Sequence, residues 1–371
     1  MKYFILAGEA SGDKQGALLC DALVRLDTSS EITGWGGEAM GEVGARITRH
    51  YRELAYMGFV EVVKHLPAIL QNFKKCKAEI KKVQPDALIL IDYPGFNLRI
   101  ARWAHQEGIK VYYYISPQLW AWHTSRVHGI KMAVRKMYVI LPFEKEFYRR
   151  YGMEVMYIGH PLAVEISKQT DFVYQPVAGK IALLPGSRKH EVERILPEMA
   201  GLIRQMPDKT FLVAAVPHLP VALYENWLKG LPNVKMIIGD MKAVLHQSEA
   251  AIVTSGTATL ETALLGVPQI VVYRGSPLSY QIAKRLIKVK YISLVNLIMD
   301  KPLVPELIQG DFNTASMVAA LSHILEPEVK KNIIKEYQIL KERLIQGGGA
   351  EAAAIDIISD LSTTNASYGL V

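Results

Sequence analysis

An aspartate that closes a run of apolar residues is the first place in this sequence where chemistry could be done. Ala87-Leu88-Ile89-Leu90-Ile91 has the unbroken hydrophobicity of a parallel strand covered on both faces, and Asp92 follows it directly. A carboxylate at the carboxyl end of a central strand lies where open parallel sheets bind ligands, and it suits a general base that takes a proton from a hydroxyl. Read alone, Asp92 ahead of Tyr93-Pro94-Gly95 is also a turn-forming aspartate, and on those residues the turn is the stronger reading. A second loop, Gly8-Glu9-Ala10-Ser11-Gly12-Asp13, follows the short apolar run Tyr3 to Leu6. Its small residues let another group come close, which makes Glu9, Ser11 and Gly12 candidates for lining a cleft or an acceptor site.

Two further loops have the residues to hold a diphosphate. In Leu184-Pro185-Gly186-Ser187-Arg188, Gly186 admits close backbone approach, Ser187 can donate a hydrogen bond or cap a helix, and Arg188 offers a planar fork to phosphate. In Thr254-Ser255-Gly256-Thr257-Ala258-Thr259-Leu260-Glu261, the residues Ser255, Gly256 and Thr257 would face phosphates, and Glu261 could accept from two ribose hydroxyls. A helix start presents free N–H groups and partial positive charge, enough for a diphosphate without a metal. Each loop alone reads equally as an ordinary helix cap; their occurrence in one half of the chain favours a nucleotide. No G-x-G-x-x-G or Walker A pattern, no D-x-D pair after these strands and no paired-histidine helix motif occur. NAD and ATP by their usual loops are therefore disfavoured, and neither a metal nor another cofactor is expected.

These loops need rigid elements behind them. Apolar runs near Tyr3 to Leu6, Ile32 to Gly34, Ala87 to Ile91, Lys110 to Ile115 and Lys136 to Leu141 alternate with helical stretches, and the pattern restarts after Pro161 with runs at Lys180 to Leu184, Thr210 to Val216, Val234 to Ile238, Ala250 to Thr254 and Gln269 to Tyr273. Such alternation predicts α/β architecture, two Rossmann-like lobes with parallel sheets. The expected division is an N-terminal lobe over 1–169, a linker over 170–179 containing Pro176 and Gly179, a C-terminal lobe over 180–345, and a final helix and tail over 346–371, packing across or swapped, after Gly347-Gly348-Gly349.

The 371 residues carry a formal net charge of +7, which fits an anionic partner such as a nucleotide, a phospholipid or a nucleic acid without choosing among them. The two cysteines, Cys20 and Cys76, form no C-x-x-C pair and read as buried thiols in a reducing compartment. The N-terminal apolar run is too short for a signal-peptide core, and no stretch reaches the roughly 18 apolar residues of a membrane span. Phe59, Val62, Val63, Leu66, Ile69, Leu70 and Phe73 recur at helical spacing, perturbed by Pro67 and flanked by Lys64, Lys74, Lys75, Lys77, Lys81 and Lys82. Such a segment could lie on an anionic membrane; by itself it is more simply a core-facing helix with a solvated basic face.

Taken in order, these pieces resemble the lipid-A-disaccharide synthase family. The resemblance rests on Gly8-Glu9-Ala10-Ser11-Gly12-Asp13, Met57-Gly58-Phe59-Val60-Glu61-Val62, Ile91-Asp92-Tyr93-Pro94-Gly95-Phe96-Asn97, Ser116-Pro117-Gln118-Leu119-Trp120-Ala121-Trp122, Leu141-Pro142-Phe143-Glu144, Ile158-Gly159-His160-Pro161, Leu183 to Arg188, Ser255 to Glu261, and Tyr291-Ile292-Ser293-Leu294-Val295-Asn296-Leu297. Single pieces are weak; the ordered set over nearly the whole chain is specific. The resemblance implies a GT-B-type glycosyltransferase with a cleft between its lobes. It implies transfer of 2,3-diacylglucosamine from UDP to the 6-hydroxyl of 2,3-diacylglucosamine 1-phosphate, with inversion and release of UDP.

It further implies Asp92 as general base, Arg188 as diphosphate ligand, Ser255 to Thr257 as the phosphate loop, Glu261 at the ribose and Asn296 as a late motif residue near the acceptor. Met57, Phe59, Val60, Val62, Val63, Leu66, Ile69 and Leu70 would seat acyl chains and meet lipids on the cytoplasmic face of the inner membrane. Family members can form a homodimer with a swapped C-terminal segment, for which Gly347 to Gly349 would supply a hinge; nucleic acid is not an expected partner. Some members carry a second acid where this chain has Gly95, which would leave Asp92 acting alone. The rival readings are a UDP-sugar 2-epimerase of similar two-lobed fold, a glycosyltransferase with a different acceptor, and a nucleotide-sugar binding module without turnover.

Overall fold

The structure, a computed structural model, describes residues 1–54, 66–122, 124–168, 174–276, 280 and 289–368. It divides into two compact units, Met1–Pro161 with Ile345–Val371, and Leu162–Leu344.

The first unit holds a wholly parallel sheet of β1 (Lys2–Ala7), β2 (Glu31–Gly36), β3 (Arg46–His50), β4 (Ala87–Ile91), β5 (Val111–Tyr114), β6 (Lys136–Val139) and β7 (Met156–Tyr157) in the order β3-β2-β1-β4-β5-β6-β7. The period of two in a strand sorts its side chains between two cores. Phe4, Leu6, Leu88, Leu90 and Tyr113 pack on one face, and Tyr3, Ile5, Ile89, Ile91, Tyr112 and Tyr114 on the other. All are fully buried or nearly so, which is why β1, β4 and β5 read as unbroken apolar runs.

The last helix, Gly349–Tyr368, completes the second of these faces. Ala353, Ala354, Ile357 and Leu361 enter the same core as Tyr112 and Tyr138. Its acidic side is tied to the sheet: Tyr112 and Arg135 Nη2 donate to Asp360 at 2.6 and 3.0 Å, while Lys136 and Tyr138 donate to Asp356 at 2.8 and 2.9 Å. The helix expected within 346–371 is thus an integral layer of the first unit. Gly347, Gly348 and Gly349 all have φ in the left-handed region, and a Cβ on Gly347 would lie 2.6 Å from Tyr157 O. Only glycine lets the chain turn that close to the backbone after β7.

The second unit repeats the design with β8 (Val177–Leu184), β9 (Thr210–Ala215), β10 (Val234–Ile238), β11 (Ser248–Thr254), β12 (Gln269–Tyr273) and β13 (Glu306–Ile308), again all parallel, in the order β10-β9-β8-β11-β12-β13. The break between units falls at Pro161, before the expected linker over 170–179. The helix Pro161–Lys168 belongs mostly to the second unit, β8 already begins at Val177, and residues 169–173 lie outside the described residues.

The apolar-basic stripe resolves only in part. Met57, Phe59, Val60, Val62 and Val63 lie outside the described residues, as does the side chain of Leu66. In the helix Leu66–Val83, Phe73 stacks on Phe96 with centroids 4.2 Å apart, and Cys76 and Ile80 are buried, so the core-facing reading holds from Phe73 onward. Ile69 is half-buried and Leu70 is exposed. Among the described residues no helix is long and apolar enough to cross a membrane.

Candidate active site

In each sheet the strand order reverses beside the first strand, between β1 and β4 in one unit and between β8 and β11 in the other. Loops at the carboxyl ends of such strand pairs flank a crevice where ligands bind. Asp92, the Gly8–Asp13 loop, the Gly186–Arg188 loop and the Ser255–Thr257 loop fall into these two places.

At the first switch point, Asp92 and Tyr93 both adopt left-handed backbone, with φ of 43° and 46°. Such conformations cost on the order of 1–3 kcal/mol each in non-glycine residues and persist only where neighbours hold them. Here Asn97 Nδ2 donates to Ile91 O at 3.1 Å and Asp92 O at 2.8 Å, Tyr113 donates to Asp92 O at 2.5 Å, and Pro94 opens the helix Pro94–Gln106. The Tyr93 ring lies over Gly8 so closely that a Cβ there would be 2.4 Å from it. The effect is to present the Asp92 side chain outward: it keeps access to solvent, yet the surrounding protein strips part of its hydration. That desolvation, and then the nearby Glu9 carboxylate, push the Asp92 pKa up to about 6, against a hydrogen bond from the Tyr93 backbone that lowers it.

Glu9 and Ser11 are exposed at the start of the helix Ala10–Leu26, and Gly12 is buried against Ala7 and Ile91. Asp13, in the same loop, is structural: buried, it accepts from Gly37, Ala39 and Met40 N–H at 2.6, 3.1 and 3.3 Å and so caps the helix Glu38–Glu42. The ends of β5 and β6 contribute a buried pair. Ser116 donates to Glu144 Oε1 at 2.6 Å, and Ile140 and Leu141 N–H donate to its Oε2 at 3.2 and 2.9 Å. Burial raises the Glu144 pKa to about 7 although these hydrogen bonds pull it down. Burial also pushes His160 down to about 4.

At the second switch point, Gly186, Ser187, Arg188 and Ser255 to Ala258 line one cavity of about 450 Å³. The two loops are not equivalent. Glu191, a turn into the helix Lys189–Gln205, accepts from Ser187 and Arg188 N–H at 2.9 and 3.1 Å, so those two donors of the loop are already satisfied. Gly186 curves around this carboxylate with φ of 121°. By contrast the helix Thr257–Leu264 has no side-chain cap, and the N–H groups of Gly256, Thr257 and Ala258 have no partner among the described residues. Ser255 Oγ donates to Ile292 O at 3.2 Å. The Arg188 guanidinium, 69% exposed, makes one loose 3.6 Å contact with Glu191.

Glu261 is half-buried on the same helix, its pKa raised by burial, lowered by Lys242 and raised by Glu165; it is not part of the cavity wall. Asn296 lines a separate cavity with Tyr291 and Glu306, and its side-chain amide is bonded within the protein. It is buried, its Nδ2 donates to Val304 O and Glu306 Oε1 at 2.9 Å each, and its Oδ1 accepts from Val304 N–H at 3.0 Å. Together with Ser293 and Glu306 it braces the loop before β13. Glu191 and Glu144 were both legible as acidic residues three positions after a helix start, whereas nothing local marks Glu306. Among the described residues no group of three or more His, Cys, Asp and Glu side chains could hold a metal.

Two parallel sheets, each with small-residue loops at its switch point, form the two-domain α/β architecture that GT-B glycosyltransferases share. Solved structures with this fold include the kitacinnamycin glycosyltransferase, with a TM-score of 0.66 at 15% identity over 97% of this chain and 98% of that one. A UDP-GlcNAc 2-epimerase from Neisseria meningitidis bound to UDP-GlcNAc gives 0.61 at 12% over 98% and 100%. At such identities these share the fold alone. The sequence relation is narrower: the family model described as lipid-A-disaccharide synthetase matches residues 3–355, and the lipid-A-disaccharide synthase of Syntrophus aciditrophicus (strain SB) is 41% identical over 95% of each chain. This chain belongs to the lipid-A-disaccharide synthase family.

Proposed function

We propose that this chain transfers 2,3-diacylglucosamine from UDP to the 6-hydroxyl of 2,3-diacylglucosamine 1-phosphate, giving the β-1,6-linked disaccharide 1-phosphate and UDP. The observation that carries the reading within the family is the state of Asp92, a carboxylate held outward by a strained backbone and poised to accept a proton near neutrality. In the proposed step Asp92 takes the 6-hydroxyl proton as that oxygen bonds to the anomeric carbon. The bond from that carbon to the UDP oxygen breaks on the opposite face, so one displacement inverts the centre. The charge arriving on UDP is met by the uncapped N–H groups of Gly256 to Ala258 and by Arg188. Glu261, one turn further on, is left for the ribose. Gly95 is exposed and brings no second acid to the site.

The same reading places the chain on the cytoplasmic face of the inner membrane. The net charge of +7, the exposed Leu70 and the lysines of the helix Leu66–Val83 support contact with anionic lipid. A homodimer is compatible with it. No metal or other cofactor enters the proposed step.

The test is a transfer assay with purified protein, both lipid substrates and detergent, read by mass spectrometry with and without EDTA. Disaccharide 1-phosphate and UDP formed equally in both tubes support the reading; UDP-sugar converted without disaccharide would replace it with epimerisation. Arg188→Ala should weaken UDP binding about 10- to 100-fold by titration calorimetry, since a charge-assisted contact to phosphate is lost. Unchanged affinity would remove Arg188 from the diphosphate site.

A further inference from the structure

The nucleotide cavity contains an acidic side chain where an anion would be expected to bind. Two loops meet there, each of a shape that could cradle phosphate, and one is already filled by the protein's own carboxylate. Glu191 Oε2 accepts from both Ser187 and Arg188 N–H, and Glu191 lines the cavity together with Gly186, Ser187 and Arg188. The fit is close: a Cβ on Gly186 would come within 2.6 Å of Glu191 Cβ and 2.7 Å of Oε2, so the turn is built around this side chain. The opposite loop has open N–H groups at Gly256, Thr257 and Ala258. Thr254, which also lines the cavity, is 7% exposed and its hydroxyl has no partner. An unpaired buried hydroxyl marks this side as the one completed by a ligand.

We infer that Glu191 is a specificity-determining residue that limits how many phosphates the cavity accepts. A diphosphate can take the open loop and the exposed Arg188 fork. A third phosphate, extending the chain of negative charge, would approach a loop whose Ser187 and Arg188 N–H groups are already taken and whose resident carboxylate repels it. The cavity therefore selects a nucleoside diphosphate, free or carrying a sugar, over the corresponding triphosphate. The inference rests on the nucleotide site of the proposed function.

Glu191→Gln isolates the effect, because an amide oxygen can still accept from Ser187 and Arg188 while the charge is gone. UDP and UTP are titrated into the full-length wild type and the variant by calorimetry, with EDTA present so that no divalent ion masks phosphate charge. Thermal unfolding of both proteins checks that the cap survives. Wild type should bind UDP more tightly than UTP, and the variant should narrow that ratio about tenfold, chiefly by gaining affinity for UTP. A wild type without preference for UDP, an equal gain for both nucleotides, or an unchanged ratio would each overturn the inference. The equal gain would mean that Glu191 merely competes with the diphosphate for the loop, and the unchanged ratio that it is only a helix cap. Failure of wild type to bind UDP at all would instead overturn the nucleotide site itself.

Discussion

Asp92→Asn should lower kcat at least about 100-fold while leaving UDP affinity within a factor of two or three. The substitution keeps the side chain's size and leaves its backbone carbonyl free to accept from Asn97 and Tyr113, so the strained turn has the same supports. What it removes is the ability to take a proton. The wild-type pH profile should carry the same signature. With a pKa near 6 the carboxylate is charged at pH 7 and neutral below 6, so activity should fall about tenfold per unit of pH beneath that value. Glu9 contributes to the raised pKa, and Glu9→Gln should therefore move the acid limb to lower pH. Equal loss of turnover and UDP binding in Asp92→Asn, or an acid limb that ignores Glu9, would make Asp92 a structural residue.

The second large effect lies far along the chain. Removing residues 346–371 should prevent the first unit from folding cooperatively, seen as loss of its thermal transition or as insoluble protein. Ile357 and Leu361 are fully buried, and burial of each is worth roughly 1.5–3 kcal/mol. The charged hydrogen bonds from Arg135 and Lys136 add roughly 1.5–3 kcal/mol apiece at most, less where they remain exposed. Deletion would also strip cover from Tyr112 and Tyr138. The total is comparable with the whole stability of an ordinary domain, about 5–15 kcal/mol. A truncated protein with a normal transition would show that the helix is an accessory. Ile357→Asp offers the same test without shortening the chain, because it buries an unpaired carboxylate in that core.

Much of the architecture was readable because central parallel strands are buried on both faces. Ala87 to Ile91 and Ile181 to Leu184 could scarcely be anything else, and the residues after them had to sit at the sheets' carboxyl ends. The edges were harder. β3 is Arg-Ile-Thr-Arg-His, β7 is two residues long and β13 three, so none has an apolar run to betray it. The fate of the last helix was also hidden. Its periodicity is plain in the sequence, but which sheet it covers depends on Tyr112, Arg135, Lys136 and Tyr138, more than two hundred residues away. Asn296 shows the converse difficulty: a polar residue in a distinctive motif invites a role at the ligand, and its three hydrogen bonds to Val304 and Glu306 depend on residues the motif does not contain. Glu191 is masked in the sequence by its neighbour Arg188, the more obvious phosphate contact, and its capping role depends on the turn at Gly186.

The layer supplied by Gly349–Tyr368 also sets an order of events at the ribosome. Domains usually fold in the order in which they are made, the N-terminal one first. Here the second unit, Leu162–Leu344, is contiguous and has all its strands before the final helix is translated. The first unit begins earlier but ends later, since Ala353, Ile357 and Leu361 are added only after the whole of the second unit. Its sheet must wait with Tyr112, Tyr114 and Tyr138 partly uncovered while the rest of the chain is made. The unit that carries Asp92 is therefore finished after the other, and a polypeptide released before Gly349 would have the cavity between Gly186 and Ser255 complete and the Asp92 unit incomplete.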